Sequence, residues 1–185
     1  MKNIIIGLTI TATILAGCNS NSNKSTESNT TLPASSVAEV KNNVSIEEIV
    51  NTYLQLKNSL AKDKTTDAAK AGTQLETAFE NFDKTALAGA ERKTFEDVEE
   101  DARENAEHIG ENSGNIAHQR EHFELLSKDI YDLVKAFGSG RVLYKFVCQS
   151  YNNGKGAFWI SETNEIINPY FGETLPACGT IAEEI

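Results

Sequence analysis

Between Ser45 and Phe137 apolar residues recur at three- and four-residue spacing in four successive stretches, separated only by short polar or glycine-bearing breaks. That periodicity dictates amphipathic helices with one face turned to a shared core. Ser45 and Glu48 have the spacing of a capping box, and Ile46, Ile49, Val50, Tyr53, Leu54 and Leu60 then form the first stripe. After Asp63-Lys64, an Ala-rich stretch with Leu75, Ala78, Phe79 and Phe82 predicts a second helix ending near Leu87-Ala88-Gly89. A third carries Phe95, Val98, Ala102, Ala106 and Ile109 on one side and the acidic run Glu96–Asp101 mostly on the other, with Gly110 and Gly114 bracketing its end. The fourth, from about Asn115, presents Phe123, Leu126, Ile130, Leu133, Val134 and Phe137 and stops at Gly138-Ser139-Gly140. Short connections between four such helices imply an antiparallel four-helix bundle, a mainly α fold.

Beyond Gly140 the pattern changes. Val142 to Val147 is a β-prone run leading into Cys148, Asn152 to Gly156 is a turn cluster, and Ala157 to Ile160 is a second short strand. The remainder, through Asn168-Pro169-Tyr170-Phe171-Gly172 and Cys178-Gly179, is irregular but apolar enough to pack. A small β-hairpin and irregular C-terminal cap over the bundle is the expectation.

The N-terminus addresses the chain to a membrane. Lys2 followed by an apolar stretch from Ile4 to Leu15 has the layout of a signal peptide and is too short to span a bilayer stably. Leu15-Ala16-Gly17-Cys18 looks like a bacterial lipobox, in which the Cys18 thiol takes a diacylglycerol. Two or three acyl chains on one residue anchor a protein essentially permanently. Residues 1–17 are thus read as a lipoprotein signal peptide and 18–41, rich in Ser, Asn and Thr, as a lipidated flexible tether reaching about 25 Å. Residues 42–185 remain as a single domain. Asn19 follows the anchor and no acidic run does, which by analogy with sorting signals favours the periplasmic face of the outer membrane.

Charge narrows the partners. The precursor has 17 basic and 27 acidic residues, and loss of Lys2 brings the mature chain near −11. Nucleic acid and anionic lipid headgroups, which need a basic face, are therefore poor partners. Gly154-Lys155-Gly156 lacks Walker spacing, and Gly-x-Ser-x-Gly, His-Glu-x-x-His and Cys-x-x-Cys-His are absent, so no enzyme is expected.

All three histidines fall within fifteen positions: His108 late in the third helix, His118 and His122 one turn apart early in the fourth. A helical hairpin brings His108 against them, and three imidazoles so placed bind a divalent metal. The other reading has them hydrogen-bonded at a helix junction, with Glu107, Glu111 or Glu121 nearby. His122 lies nearer the apolar stripe, whereas His118 points farther towards solvent. With Cys18 acylated, Cys148 and Cys178 remain: a disulfide, or two soft metal ligands.

Gln119-Arg120-Glu121-His122-Phe123, Asn152-Asn153-Gly154-Lys155-Gly156-Ala157-Phe158-Trp159, Asn168-Pro169-Tyr170-Phe171-Gly172 with Cys178-Gly179, and the opening Ile49-Val50-Asn51-Thr52-Tyr53-Leu54 resemble the bacterial domain of unknown function 3347. Members are exported lipoproteins or domains attached to heavy-metal efflux adaptors, a context that implies copper or related metals and an efflux or other envelope protein as partner. The chain departs from the family pattern where Val147, Gln149 and Ser150 replace His, Pro and Met around Cys148, and where Leu175 replaces a second Met. What the resemblance leaves is His108, His122, Cys148 and Cys178, a His₂Cys₂ set suited to Cu(I) or Zn(II). The alternative is a Cys148–Cys178 disulfide, worth roughly 3–4 kcal/mol, in a non-enzymatic envelope interaction module without metal.

Overall fold

The computed structural model describes residues 44–185. Residues 1–17, read as a signal peptide, and 18–41, read as a lipidated tether beginning at Cys18, lie outside the described residues. Four long helices follow in order: α1 (Glu47–Ala61), α2 (Thr65–Glu80), α3 (Gly89–Glu111) and α4 (Ile116–Phe137). Each packs on its predecessor, and the stripes expected from periodicity form the core: Ile49, Tyr53, Leu60, Leu75, Phe79, Phe95, Ile109, Phe123, Leu126 and Leu133 are buried. No helix among the described residues is long and apolar enough to cross a membrane.

Several boundaries differ from expectation. Ser45 accepts from the Glu47 backbone N–H instead of capping at the third position, and Ile46, which makes no side-chain cap, stands at the N-cap of α1. Helix α2 stops at Glu80, and the chain reaches α3 through a 3₁₀ turn at Lys84–Ala86, where Asp83 accepts from the Thr85 N–H. Gly110 does not end α3. It lies within the helix where α2 comes close, and a Cβ there would sit 2.6 Å from Thr73 Oγ1. Gly72 on α2 is the reciprocal position: its Cβ would meet the Ala106 carbonyl and the Gly110 nitrogen, each at 2.8 Å. These two glycines let the helix backbones approach more closely than side chains permit.

The cap is a three-stranded antiparallel sheet with order β2-β1-β3, formed by β1 (Tyr144–Cys148), β2 (Ala157–Ser161) and β3 (Thr180–Glu184). Strand β1 pairs in register with β2 from Tyr144↔Ser161 to Cys148↔Ala157, while its pairing with β3 has an irregularity between Lys145 and Phe146 of β1. The hairpin was expected; β3 was not. Its Thr-Ile-Ala-Glu-Glu sequence is almost wholly solvent-exposed, so it lacks the apolar alternation that marks a strand.

The sheet packs on α1 and α4, and Tyr53 joins all three. The Ile160 N–H donates to Tyr53 Oη (3.1 Å), Tyr53 donates to Ser127 Oγ (2.9 Å), and Ser127 donates to the Phe123 carbonyl (2.8 Å). Every polar atom of this buried chain is satisfied. A second clamp centres on Arg120 of α4, which donates to the Pro169 and Leu60 carbonyls and pairs with Asp63 at 2.5 Å. Gly172 passes over that pair with φ +55°, and any Cβ there would overlap both the Asp63 carboxylate and the Arg120 guanidinium.

Candidate metal centre

The junction between α3 and α4 is built by three short polar signals. Asn112 donates to the His108 carbonyl, covering one of the acceptors left open at the end of α3. Gly114 takes φ +91°, and Asn115 caps α4 by accepting from the His118 N–H. This tight return sets the last turns of α3 beside the first turns of α4 and brings the three histidines together. His108 and His122 stack at 4.4 Å between ring centroids, His122 and His118 meet edge-on at 4.5 Å, and His108 and His118 are 6.0 Å apart. Each offers a ring nitrogen within 4.8 Å of the other two.

Hydrogen bonding orients the most constrained ring. Asn105 on α3 is buried, and its amide nitrogen donates to the Asp101 carbonyl at 2.8 Å, which turns its oxygen towards His122 Nδ1 at 2.9 Å. That assignment makes Nδ1 the protonated nitrogen and leaves Nε2 with its lone pair free. Glu121 Oε2 stands 3.6 Å from His118 Nδ1 and Glu104 Oε1 3.7 Å from His108 Nε2, within ion-pair reach but too long for hydrogen bonds. Burial, and then the proximity of His108 and His118, hold the His122 pKa below its ordinary value. A neutral imidazole is the form that binds metal.

A zinc–nitrogen bond of about 2.0–2.1 Å in tetrahedral geometry places its ligating nitrogens about 3.3 Å apart. The three imidazole nitrogens lie within 4.8 Å of one another, so their rings would rotate inward to reach that spacing. Three imidazoles, an outer amide orienting one of them and two flanking carboxylates therefore fit a borderline divalent ion, with a position left for a carboxylate or water.

The expected His₂Cys₂ set is not assembled. Cys148 and Cys178 are joined in a disulfide with Cα atoms 5.4 Å apart, because β3 begins two residues after Cys178 and pairs beside the end of β1. Their sulfurs are committed to each other and provide no thiolates for His108 and His122. The third member of the histidine group is instead His118. Placing it towards solvent was correct for its own helix, but the shoulder of α4 on which it sits faces the end of α3, and its side chain is only one-third exposed. The sequence signal for Asn105 is a polar residue on the same side of α3 as Ala102, Ala106 and Ile109.

No curated protein and no solved structure matches the chain. A family model matches residues 49–141, from the first turn of α1 through all four helices and all three histidines, and stops before β1. On that match the chain belongs to the family described as protein of unknown function DUF3347.

Proposed function

We propose that this protein is a lipoprotein of the cell envelope, anchored through Cys18, whose helical domain binds a transition-metal ion through His108, His118 and His122 in a heavy-metal tolerance or efflux role. The convergence of three imidazoles on one helix junction carries the reading. An all-nitrogen donor set is borderline rather than soft, which turns the choice of ion towards Zn(II) or Cu(II) and away from Cu(I). The chain's residues would hold the ion, orient the His122 ring through Asn105 and supply negative charge from Glu104 and Glu121. Delivery to a metal-efflux protein of the envelope is the role the family resemblance suggests.

The test uses the full chain carrying Cys18→Ser, which prevents lipidation. It should bind about one Zn(II) or Cu(II) by calorimetry and elemental analysis, and His122→Ala should weaken binding at least about tenfold. Equal metal content in wild type and in a variant with all three histidines changed to alanine would sink the reading. The disulfide favours a second reading, an envelope interaction module with no metal. Metal-free protein after loading and desalting is the result that reading predicts.

A further inference from the structure

Beside the histidine junction, on its C-terminal side, α4 and the segments flanking the sheet enclose an open groove of about 590 Å³. Its walls include Glu121, Glu124 and Leu125 of α4, Tyr151 and Asn152 after β1, and Phe171. The Tyr151 and Phe171 rings meet edge-on at 84° with centroids 5.8 Å apart, and Tyr170 backs Tyr151 at 4.4 Å. Asn152 donates to Glu124 at 3.2 Å and so fixes one carboxylate at the wall. Lys128, half-exposed, pairs with that carboxylate at 3.6 Å, longer than a hydrogen bond, and the Glu124 side chain remains 19 % exposed. Glu121 is 72 % exposed and Leu125 is 47 % exposed, an uncommon setting for a leucine on an otherwise well-packed helix.

We infer that this groove binds a basic side chain, arginine above all, from an extended segment of a protein partner. The ring face that such an edge-on pair leaves towards the groove attracts a cation through its quadrupole, and a planar guanidinium adds stacking on it. The carboxylates of Glu121 and Glu124 supply charge-assisted acceptors for its N–H groups. Leu125 offers apolar contact to the methylene stem, which such side chains lay along apolar surface. The strongly acidic chain, at a formal −10, steers such a partner inward. The inference goes beyond metal binding and does not require it.

The probe is acetyl-Gly-Arg-Gly-amide, with the citrulline peptide, equal in shape but uncharged, as control. Titrated into the ¹⁵N-labelled Cys18→Ser chain without metal, the arginine peptide should shift the amides of Leu125, Asn152 and Phe171, with a Kd of about 1 mM. Glu124→Gln and Glu121→Gln should each weaken binding about three- to tenfold. Glu121 is exposed enough that its change leaves folding intact, so it decides the matter should Glu124→Gln prove unstable. His108→Ala should leave peptide binding unchanged while abolishing metal binding, which separates the two sites. Equal shifts with the citrulline peptide, shifts centred on the acidic face of α3, or none at saturating peptide would overturn the proposal.

Discussion

Reduction of the Cys148–Cys178 disulfide should destabilise the domain substantially and leave its metal chemistry intact. The two cysteines are 30 positions apart, and the chain-entropy relation for a loop of that size gives about 12 cal/mol/K, or about 3.6 kcal/mol at 25 °C. Cys148 is buried and already held by the β1–β2 and β1–β3 ladders, so reduction changes little packing and the effect falls on the unfolded chain. The sole tryptophan, Trp159, is fully buried on β2, and a Cβ on Gly179, next to Cys178, would touch its ring at 2.8 Å. Its fluorescence in urea therefore reports this region directly. With a slope of about 2 kcal/mol/M, the midpoint should drop by about 1.5–2 M on adding a phosphine reductant. A change below about 1 kcal/mol would refute the assignment of a loop-closing bond. In parallel, Cys148→Ala/Cys178→Ala should keep the wild-type metal stoichiometry; loss of metal there would return the cysteines to the ligand set.

Two further outcomes follow from single residues. Asn105→Leu should lower Zn(II) affinity about 10- to 100-fold while the chain stays folded, and ¹⁵N NMR of His122 should show the Nδ1–H tautomer in wild type and a mixture in the variant. Asp129 on α4 has its pKa raised to about 7 by burial, then by Asp101 and Asp132. Its folded value exceeds the unfolded one, so it costs stability progressively as pH rises from about 4 to 7. Asp129→Asn should accordingly stabilise the domain at pH 8 by roughly 1–2 kcal/mol after allowance for solvent screening and have no effect near pH 3. Equal gains at both pH values in urea titrations would show that the benefit is not electrostatic.

The helices were legible because each must bury one stripe, and that demand is written at fixed spacing from Ile46 to Phe137. Lys57 was legible too, though passed over: it falls between Tyr53 and Leu60 in the same register, and it is fully buried, donating to Ser161 and pairing with Glu162 at 2.7 Å. Strand β3 was not, since an exposed edge strand is specified by its partner β1 more than by its own side chains. The histidine group was legible as a helix-hairpin consequence of spacing. His118 was set aside because an angle measured from one helix's stripe says nothing about where the next helix lies. The pairing of Cys148 with Cys178 depends on β3, so a sequence that hides the strand also hides the reason for the bond.

The glycine contact between α2 and α3 bears on the cost of filling the histidine junction. Gly110 is two residues from His108, and its backbone rests against Gly72 with no side chain between them. The turn of α3 that carries His108 is thereby seated closely on α2, while its distance to His118 and His122 is set by the return into α4. A ligand-bearing turn held in place before binding would give up less conformational freedom when the proposed ion is bound. Under the proposed function, an all-imidazole donor set would by itself disfavour calcium and magnesium, which take oxygen ligands.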